Sequence, residues 1–391
     1  MTPDYERQRT LQGKLAGQPI TWVAKPGIPG WDGIGPADEL LFEAAEPAEG
    51  QRLLVLGCGH GALAAALARR SPSAQLLLSD HSVVALALAR ATLAANRAEN
   101  AELTAAISLL PERAGQFDAA TLVAPPDRRL ARRRLVEAFG ALRAGGSLFL
   151  AGANDHGIRS VIADAAELFG AAHVLSYRQG HRVAQALKPA EPGPAPEWAG
   201  APGIAPGTWR EFAAVLRGHE LRLCSVAGVF AHDKLDAGTR VLLETIESPA
   251  GARVLDLGCG CGVIGALAAR LGAATADLAD ANLLAVAAAR ATLARNEIAN
   301  ARVFAADGVP PGEPGRYDLV LSNPPFHAGK AIDYDVAHAF IAQAGRALRA
   351  GGHLVLVANQ FLPYEPLLRA SFGQVAQLAQ REGYRLWRAL R

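Results

Sequence analysis

A chain of 391 residues exceeds one typical domain and points to two, and half of it is hydrophobic against 19% charged, which excludes wholesale disorder. The formal net charge of +2 neither demands nor forbids a nucleic-acid partner; the positive charge is mostly arginine, with lysine only at Lys14, Lys25, Lys188, Lys234 and Lys330. Cys58, Cys224, Cys259 and Cys261 show neither zinc nor disulfide spacing, so no metal is expected and a reducing cytoplasm fits.

The start is polar, without the apolar stretch of a secretion signal, and no apolar segment is long enough to span a bilayer. The first strong signal is Val55-Leu56-Gly57-Cys58-Gly59-His60-Gly61, a strand running into a glycine-rich turn. Asp80 lies further on, ten residues before the helical stretch Arg90-Ala91-Thr92-Leu93-Ala94-Ala95-Asn96. A strand from Phe117 to Val123 ends in Ala124-Pro125-Pro126-Asp127, and Arg128, Arg129, Arg132, Arg133 and Arg134 follow in a predicted helix. Such a run is commonly a solvated charged face; beside strand ends it also suits a patch that contacts the phosphates of structured RNA. Residues 188–207 hold Pro189, Pro192, Pro194, Pro196, Pro202 and Pro206 among Gly and Ala, the composition of an extended, semi-rigid linker. This places one domain at 1–187 and another at 208–391.

Beyond the linker, Arg253 to Leu257 reads as a strand, Gly262 to Leu271 as a helix and Thr275 to Ala279 as a strand. A helix over Leu283 to Arg295 leads to strands at Val303 to Ala306 and Tyr317 to Leu321. A helix from Val336 to Leu348 then precedes a strand from His353 to Ala358. The alternation implies an α/β fold whose mostly parallel sheet is covered on both faces, with ligand-binding turns along one edge.

The two halves repeat each other. The glycine turn recurs as Asp256-Leu257-Gly258-Cys259-Gly260-Cys261-Gly262, Asp80 as Asp280, and the helical stretch as Arg290-Ala291-Thr292-Leu293-Ala294-Arg295-Asn296. Ala141-Leu142-Arg143-Ala144-Gly145-Gly146 recurs as Ala347-Leu348-Arg349-Ala350-Gly351-Gly352. Matched elements stay about 200 residues apart, the mark of a duplicated domain.

In the second half, glycines before a helix N-terminus allow close backbone approach to an anionic ligand group, by itself ambiguous between a nicotinamide dinucleotide and S-adenosylmethionine. Asp280 closes the second strand where a carboxylate can accept from both ribose hydroxyls, and Asp307 follows the third, placed to accept from an adenine amino group. The fourth strand ends in Ser322-Asn323-Pro324-Pro325-Phe326. There the Asn323 side-chain oxygen and the Pro324 carbonyl can accept from an exocyclic amine, the prolines stiffen the turn, and Phe326 offers a stacking face. The bland alternatives are that Asp256 only caps its turn, that Asp280 is a helix N-cap, and that His327 is a pocket wall. Cys259 and Cys261 read as small turn residues rather than nucleophiles.

These motifs, with Gly228-Val229-Phe230 and Leu235-Asp236-Ala237-Gly238-Thr239, resemble the ribosomal RNA guanine-N2 methyltransferases, class I S-adenosylmethionine-dependent enzymes with a duplicated, Rossmann-like domain. The resemblance implies two tandem domains, the first degenerate and used for RNA recognition, the second catalytic. It implies that Asp256, Gly258, Gly260 and Gly262 hold the methionine portion of the cofactor, Asp280 its ribose and Asp307 its adenine. Asn323, Pro324 and Phe326 would hold the target guanine, in the small ribosomal subunit rather than the large. Two covalently joined copies already mimic a dimer, so a monomer is expected. The first half has Val55, Ile107 and Ala124 where the second has Asp256, Asp307 and Asn323, so that copy is not expected to methylate. Rival readings are adenine-N6 or protein-glutamine methylation by the same fold, a non-catalytic RNA-binding assembly factor and, more remotely, a nicotinamide-dependent dehydrogenase.

Overall fold

The computed structural model of the chain describes residues 4–312, 314–324 and 332–391, the side chains of 332–335 excepted. The chain forms two compact units, one of residues 8–208 and one of residues 209–391 joined by the first turn of the chain, residues 4–7.

The first unit opens with a hairpin, β1 (Arg9–Leu15) and β2 (Gln18–Ala24), and helix α1 (Pro36–Ala44). It continues through β3 (Arg52–Leu56), α2 (Ala62–Arg70), β4 (Gln75–Ser79), α3 (Val83–Ala95), β5 (Ala101–Thr104) and β6 (Phe117–Val123). Helix α4 (Arg128–Ala141), β7 (Leu142–Ala153), α5 (Ile158–Phe169), β8 (His173–Arg178) and β9 (His181–Leu187) complete it. The second unit repeats the series with β10 (Arg210–Leu216), β11 (His219–Ser225), α6 (Ala237–Thr245), β12 (Arg253–Leu257), α7 (Val263–Arg270), β13 (Thr275–Asp280) and α8 (Leu283–Arg295). It ends with β14 (Ala301–Ala305), β15 (Tyr317–Ser322), α9 (Ile332–Ala347), β16 (Leu348–Asn359), α10 (Tyr364–Ser371), β17 (Gln374–Arg381) and β18 (Tyr384–Leu390).

The sheets have one topology, β5-β4-β3-β6-β7-β9-β8 and β14-β13-β12-β15-β16-β18-β17. The inner pairs are parallel and the last two strands of each copy add on antiparallel. The central strands are nearly continuous buried aliphatic runs such as Leu53 to Leu56, as expected of strands covered on both faces. In the first unit, helices α2 and α4 contribute buried side chains to two separate core clusters.

The repeated motifs that lie away from the strand ends turn out to be scaffold. Asn296 accepts from Arg222 N (3.0 Å) and donates to Arg222 O and Thr292 O (2.7 Å each), while Thr292 Oγ1 accepts from Cys224 N (3.0 Å), so α8 is clamped to β11. Asn96 and Thr92 clamp α3 to Thr21 and Val23 of β2 in the same way. Arg143 Nε donates to Asp118 (2.7 Å), and Arg349 to Asp318, at the far edge of each sheet from the glycine turns.

The proline-rich segment is not a free linker. Lys188 Nζ donates to Leu142 O (2.7 Å), Trp198 Nε1 donates to Glu167 (2.8 Å), and Arg132 lies 4.8 Å over the Trp198 ring. Residues 188–207 thus belong to the first unit, because indole and amine anchors in the segment find acceptors on it.

Asn296→Ala removes three hydrogen bonds of a buried side chain, and we expect a loss of about 2 kcal/mol in urea unfolding of the whole chain. A change within about 0.5 kcal/mol would contradict the scaffold role.

Candidate active site

Parallel pairing of β12 with β13 and with β15 brings the C-terminal ends of all three strands to one edge. The glycine turn leaves β12 there, tied down by Gly258 N to Ala279 O (2.9 Å) and Cys259 N to Ala279 O (3.0 Å). Gly260 has φ +53°, and a Cβ built on it would meet no atom of the described residues within 4 Å, so the backbone is bare on that side. That is a cradle for a ligand.

Asp256 sits behind the turn, fully buried, with Oδ2 accepting from Gly265 N (2.9 Å) in the first turn of α7. It therefore does cap the helix, one of the two readings left open by the sequence. Its Oδ1 is buried with no partner among the described residues. Burial, and secondarily the nearby Asp280 carboxylate, pushes its carboxyl up to about 7 against the pull of the Gly265 N–H.

Asp280 is not a helix N-cap, since Asn282 caps α8 by accepting from Leu284 N. Instead Asp280 Oδ2 accepts from Gly260 N (2.9 Å) and Oδ1 from Asn282 N (2.8 Å), which fixes the carboxylate beside the bare glycine. Each oxygen keeps a second lone pair for a hydroxyl. The Asn282 amide also donates to Gly228 O (2.8 Å), drawing the 226–229 turn onto this edge.

Asp307 accepts from the hydroxyl of Tyr5, a residue that no sequence pattern marked. Tyr5 is buried, and its phenol is held protonated, chiefly by burial and then by the Asp307 charge. Gln343 accepts from Val309 N (2.9 Å) and donates to Glu6 (3.2 Å), so the first turn of the chain is fastened to the loop that carries Asp307.

Ser322 Oγ bonds Leu257 O (2.7 Å), locking the end of β15 to β12 just before Asn323. The Asn323 Nδ2 group donates to Asp236 Oδ2 and to Thr239 Oγ1, each at 2.9 Å. Its Oδ1 is buried and has no partner among the described residues. Pro324 is buried beside it. Phe326 and His327 lie outside the described residues. The thiols of Cys259 and Cys261 are buried and pushed up, the latter to about 12, so they are inert fillers of the turn.

The first copy keeps the cleft but fills it. Asp80 accepts from Gly59 N (3.1 Å) and Ser82 N (2.9 Å), as Asp280 does from its own turn. Over the glycine turn, however, lies the Arg134 guanidinium, so close that a Cβ on Gly57 would overlap it. The matching place in α9 holds Phe340, whose ring lies 3.2 Å from a Cβ built on Gly258. Arg134 Nη2 donates to His81 Nδ1 (3.2 Å), and burial together with that cation pushes His81 down to about 4. His60 bonds Gly33 O (3.1 Å) and accepts from Ala62 N (3.3 Å).

The arginine run is held by several partners of the fold. Arg128 and Arg132 both grip Asp164, with contacts of 2.7 to 3.1 Å. Arg133 is buried, donating to Ile107 O (2.9 Å) beside Glu137, and Arg134 fills the cleft. Arg129 lies 3.6 Å from Asp127. Arg133 and Arg134 turn inward, Arg132 is partly buried, and Arg128 and Arg129 stay about half exposed (52% and 48%), so the run is divided between interior and surface.

A family model described as the methyltransferase small domain matches twice, over residues 19–185 and 220–388. Ribosomal RNA small subunit methyltransferase C of Pseudomonas entomophila is 37% identical over 276 residues, 70% of this chain and 80% of that protein. The protein of the same name from Stutzerimonas stutzeri is 35% identical over 278 residues, 71% and 80% of the two chains. Among solved structures, the T. thermophilus 16S rRNA N2 methyltransferase RsmC, in complex with AdoMet and guanosine, superposes with a TM-score of 0.83 at 30% identity over 99% of both chains.

Because Asp256 ionises near pH 4 when unfolded but near 7 when folded, its contribution to stability is complete below pH 4 and is lost as pH rises through 7. Asp256→Asn keeps an oxygen for Gly265 N and removes the ionisation. The fall in urea midpoint from pH 5 to pH 8 should be smaller in the variant than in the parent; parallel curves would contradict the assignment.

Proposed function

The chain belongs to the ribosomal RNA small subunit methyltransferase C family, and we propose that it moves a methyl group from S-adenosylmethionine to the exocyclic N2 of a guanine in small-subunit ribosomal RNA. The observation that carries this reading is the buried Oδ1 of Asn323, without a partner among the described residues, at the end of the strand next to the one that carries the glycine turn, with Asp280 at the end of the strand beyond.

The residues present fit the cofactor. Asp280, held by two backbone N–H groups, offers lone pairs to a ribose, and Asp307 offers an acceptor to an adenine amine with Tyr5 alongside. Gly258, Gly260 and Gly262 let the backbone approach the amino-acid end, while Asp256 holds the helix behind them. When bound, the cofactor supplies a methyl group on a sulfonium, an electrophile that needs no further activation.

What remains for the protein is to place a weakly nucleophilic amine. Asn323 Oδ1 and the Pro324 carbonyl accept its N–H bonds, fixing the direction of the nitrogen lone pair. The nitrogen exchanges one N–H for N–CH3, and the proton passes to water. A base in a duplex cannot reach a buried acceptor, so the guanine leaves its stack to react. Phe326 provides the stacking face in this reading. The first unit, its cleft filled by Arg134, serves RNA recognition rather than chemistry. The joined copies act as a monomer in the cytoplasm.

Asn323→Ala should lower methyl transfer to small-subunit RNA by on the order of a hundred-fold or more while leaving the dissociation constant for S-adenosylmethionine unchanged. Transfer at the parental rate would contradict the assignment.

A further inference from the structure

The sequence singled out Leu235-Asp236-Ala237-Gly238-Thr239 without giving these residues a task. Their geometry supplies one. Asp236 is the N-cap of α6, its Oδ2 accepting from Thr239 N at 2.9 Å. The same oxygen accepts from Asn323 Nδ2, and Thr239 Oγ1 accepts from that nitrogen as well. Thr239 is buried, and the turn is pressed so closely on β18 that a Cβ on Gly238 would come within 2.7 Å of the Tyr384 ring.

An amide can sit in a pocket in two orientations that differ by exchanging its oxygen and its NH2 group. An ionised carboxylate has no proton to donate, so the face of Asn323 that meets Asp236 must be the NH2 group. Both N–H bonds are then taken up, one by Asp236 and one by Thr239. The oxygen is left on the other side, buried and without a partner among the described residues. A buried acceptor without a donor is unfavourable, and a free amide would relieve it by turning over.

We propose that Asp236 and Thr239 are positioning residues that lock the Asn323 amide with its oxygen toward the substrate, so that the turn selects a base presenting N–H bonds over one presenting a carbonyl. The lock rests on Asn323 as the acceptor of the target amine. It places the choice of amine over carbonyl in the first turn of α6, on a different element from the Asn-Pro-Pro turn itself. With the lock broken, the amide presents NH2 to an incoming NH2 for part of the time, and those encounters are unproductive.

Thr239→Val is the test, because it removes the hydroxyl acceptor but keeps the backbone N–H that Asp236 caps. We expect kcat to fall about ten-fold, the equivalent of one lost hydrogen bond, with the dissociation constant for S-adenosylmethionine and the melting temperature unchanged. Thr239→Ser, which restores an oxygen, should return kcat to within about two-fold of the parent. Asp236→Ala should lose more activity, together with some stability from the missing cap. Parental kcat in Thr239→Val, or a loss that Thr239→Ser fails to restore, overturns the lock. Asn323→Ala separates the two levels. If it is inactive while Thr239→Val is fully active, only the lock fails; if it is active, the acceptor role beneath it fails too.

Discussion

Everything at the site depends on the parallel pairing of β12 with β13 on one side and β15 on the other. Parallel strands point the same way, so their ends share an edge, and each end here delivers one functional piece: the glycine turn, Asp280 and Asn323. The pieces are also cross-linked to one another. Gly260 N holds Asp280, Ala279 O holds the turn, and Ser322 Oγ holds the carbonyl of Leu257. Preorganisation of this kind means that little ordering is left for the moment of reaction.

The same scaffold, used twice, shows which parts of it are chemistry. Both copies keep the clamp of Thr and Asn on the hairpin, the Arg–Asp contact at the far edge and an aspartate bridged between the glycine turn and the next loop. They part company in what faces that aspartate. In the second copy the aspartate can receive the hydroxyls of a ligand. In the first, a buried guanidinium lies over the turn, with the Asp80 carboxylate offsetting part of the cost of burying it. The counterpart of that guanidinium in the second copy is the uncharged ring of Phe340.

The βα alternation was legible because buried central strands and alanine-rich helices differ sharply in length and pattern, and the observed elements from β12 to β16 fall within a few residues of their expected places. The glycine turn, Asp280 and Asn323 were legible because each follows a strand. The hairpins β1–β2 and β10–β11 were not, since their alternating exposed residues resemble loop. Tyr5 was invisible because its partner is 302 residues away, and the Asn323–Thr239 bond because it spans 84. The arginine run was legible only as charge, which does not say whether it faces water: Asp164 and Glu137 pair with three of the five, and Arg134 lies over Gly57.

The most direct measurement of the central claim is transfer of radiolabelled methyl from S-adenosylmethionine to separately supplied small and large ribosomal subunits and to their naked RNAs, followed by nucleoside analysis. The account predicts label in N2-methylguanosine from small-subunit material alone. Label in N6-methyladenosine, in protein or in the large subunit, or RNA binding with no transfer, would contradict it.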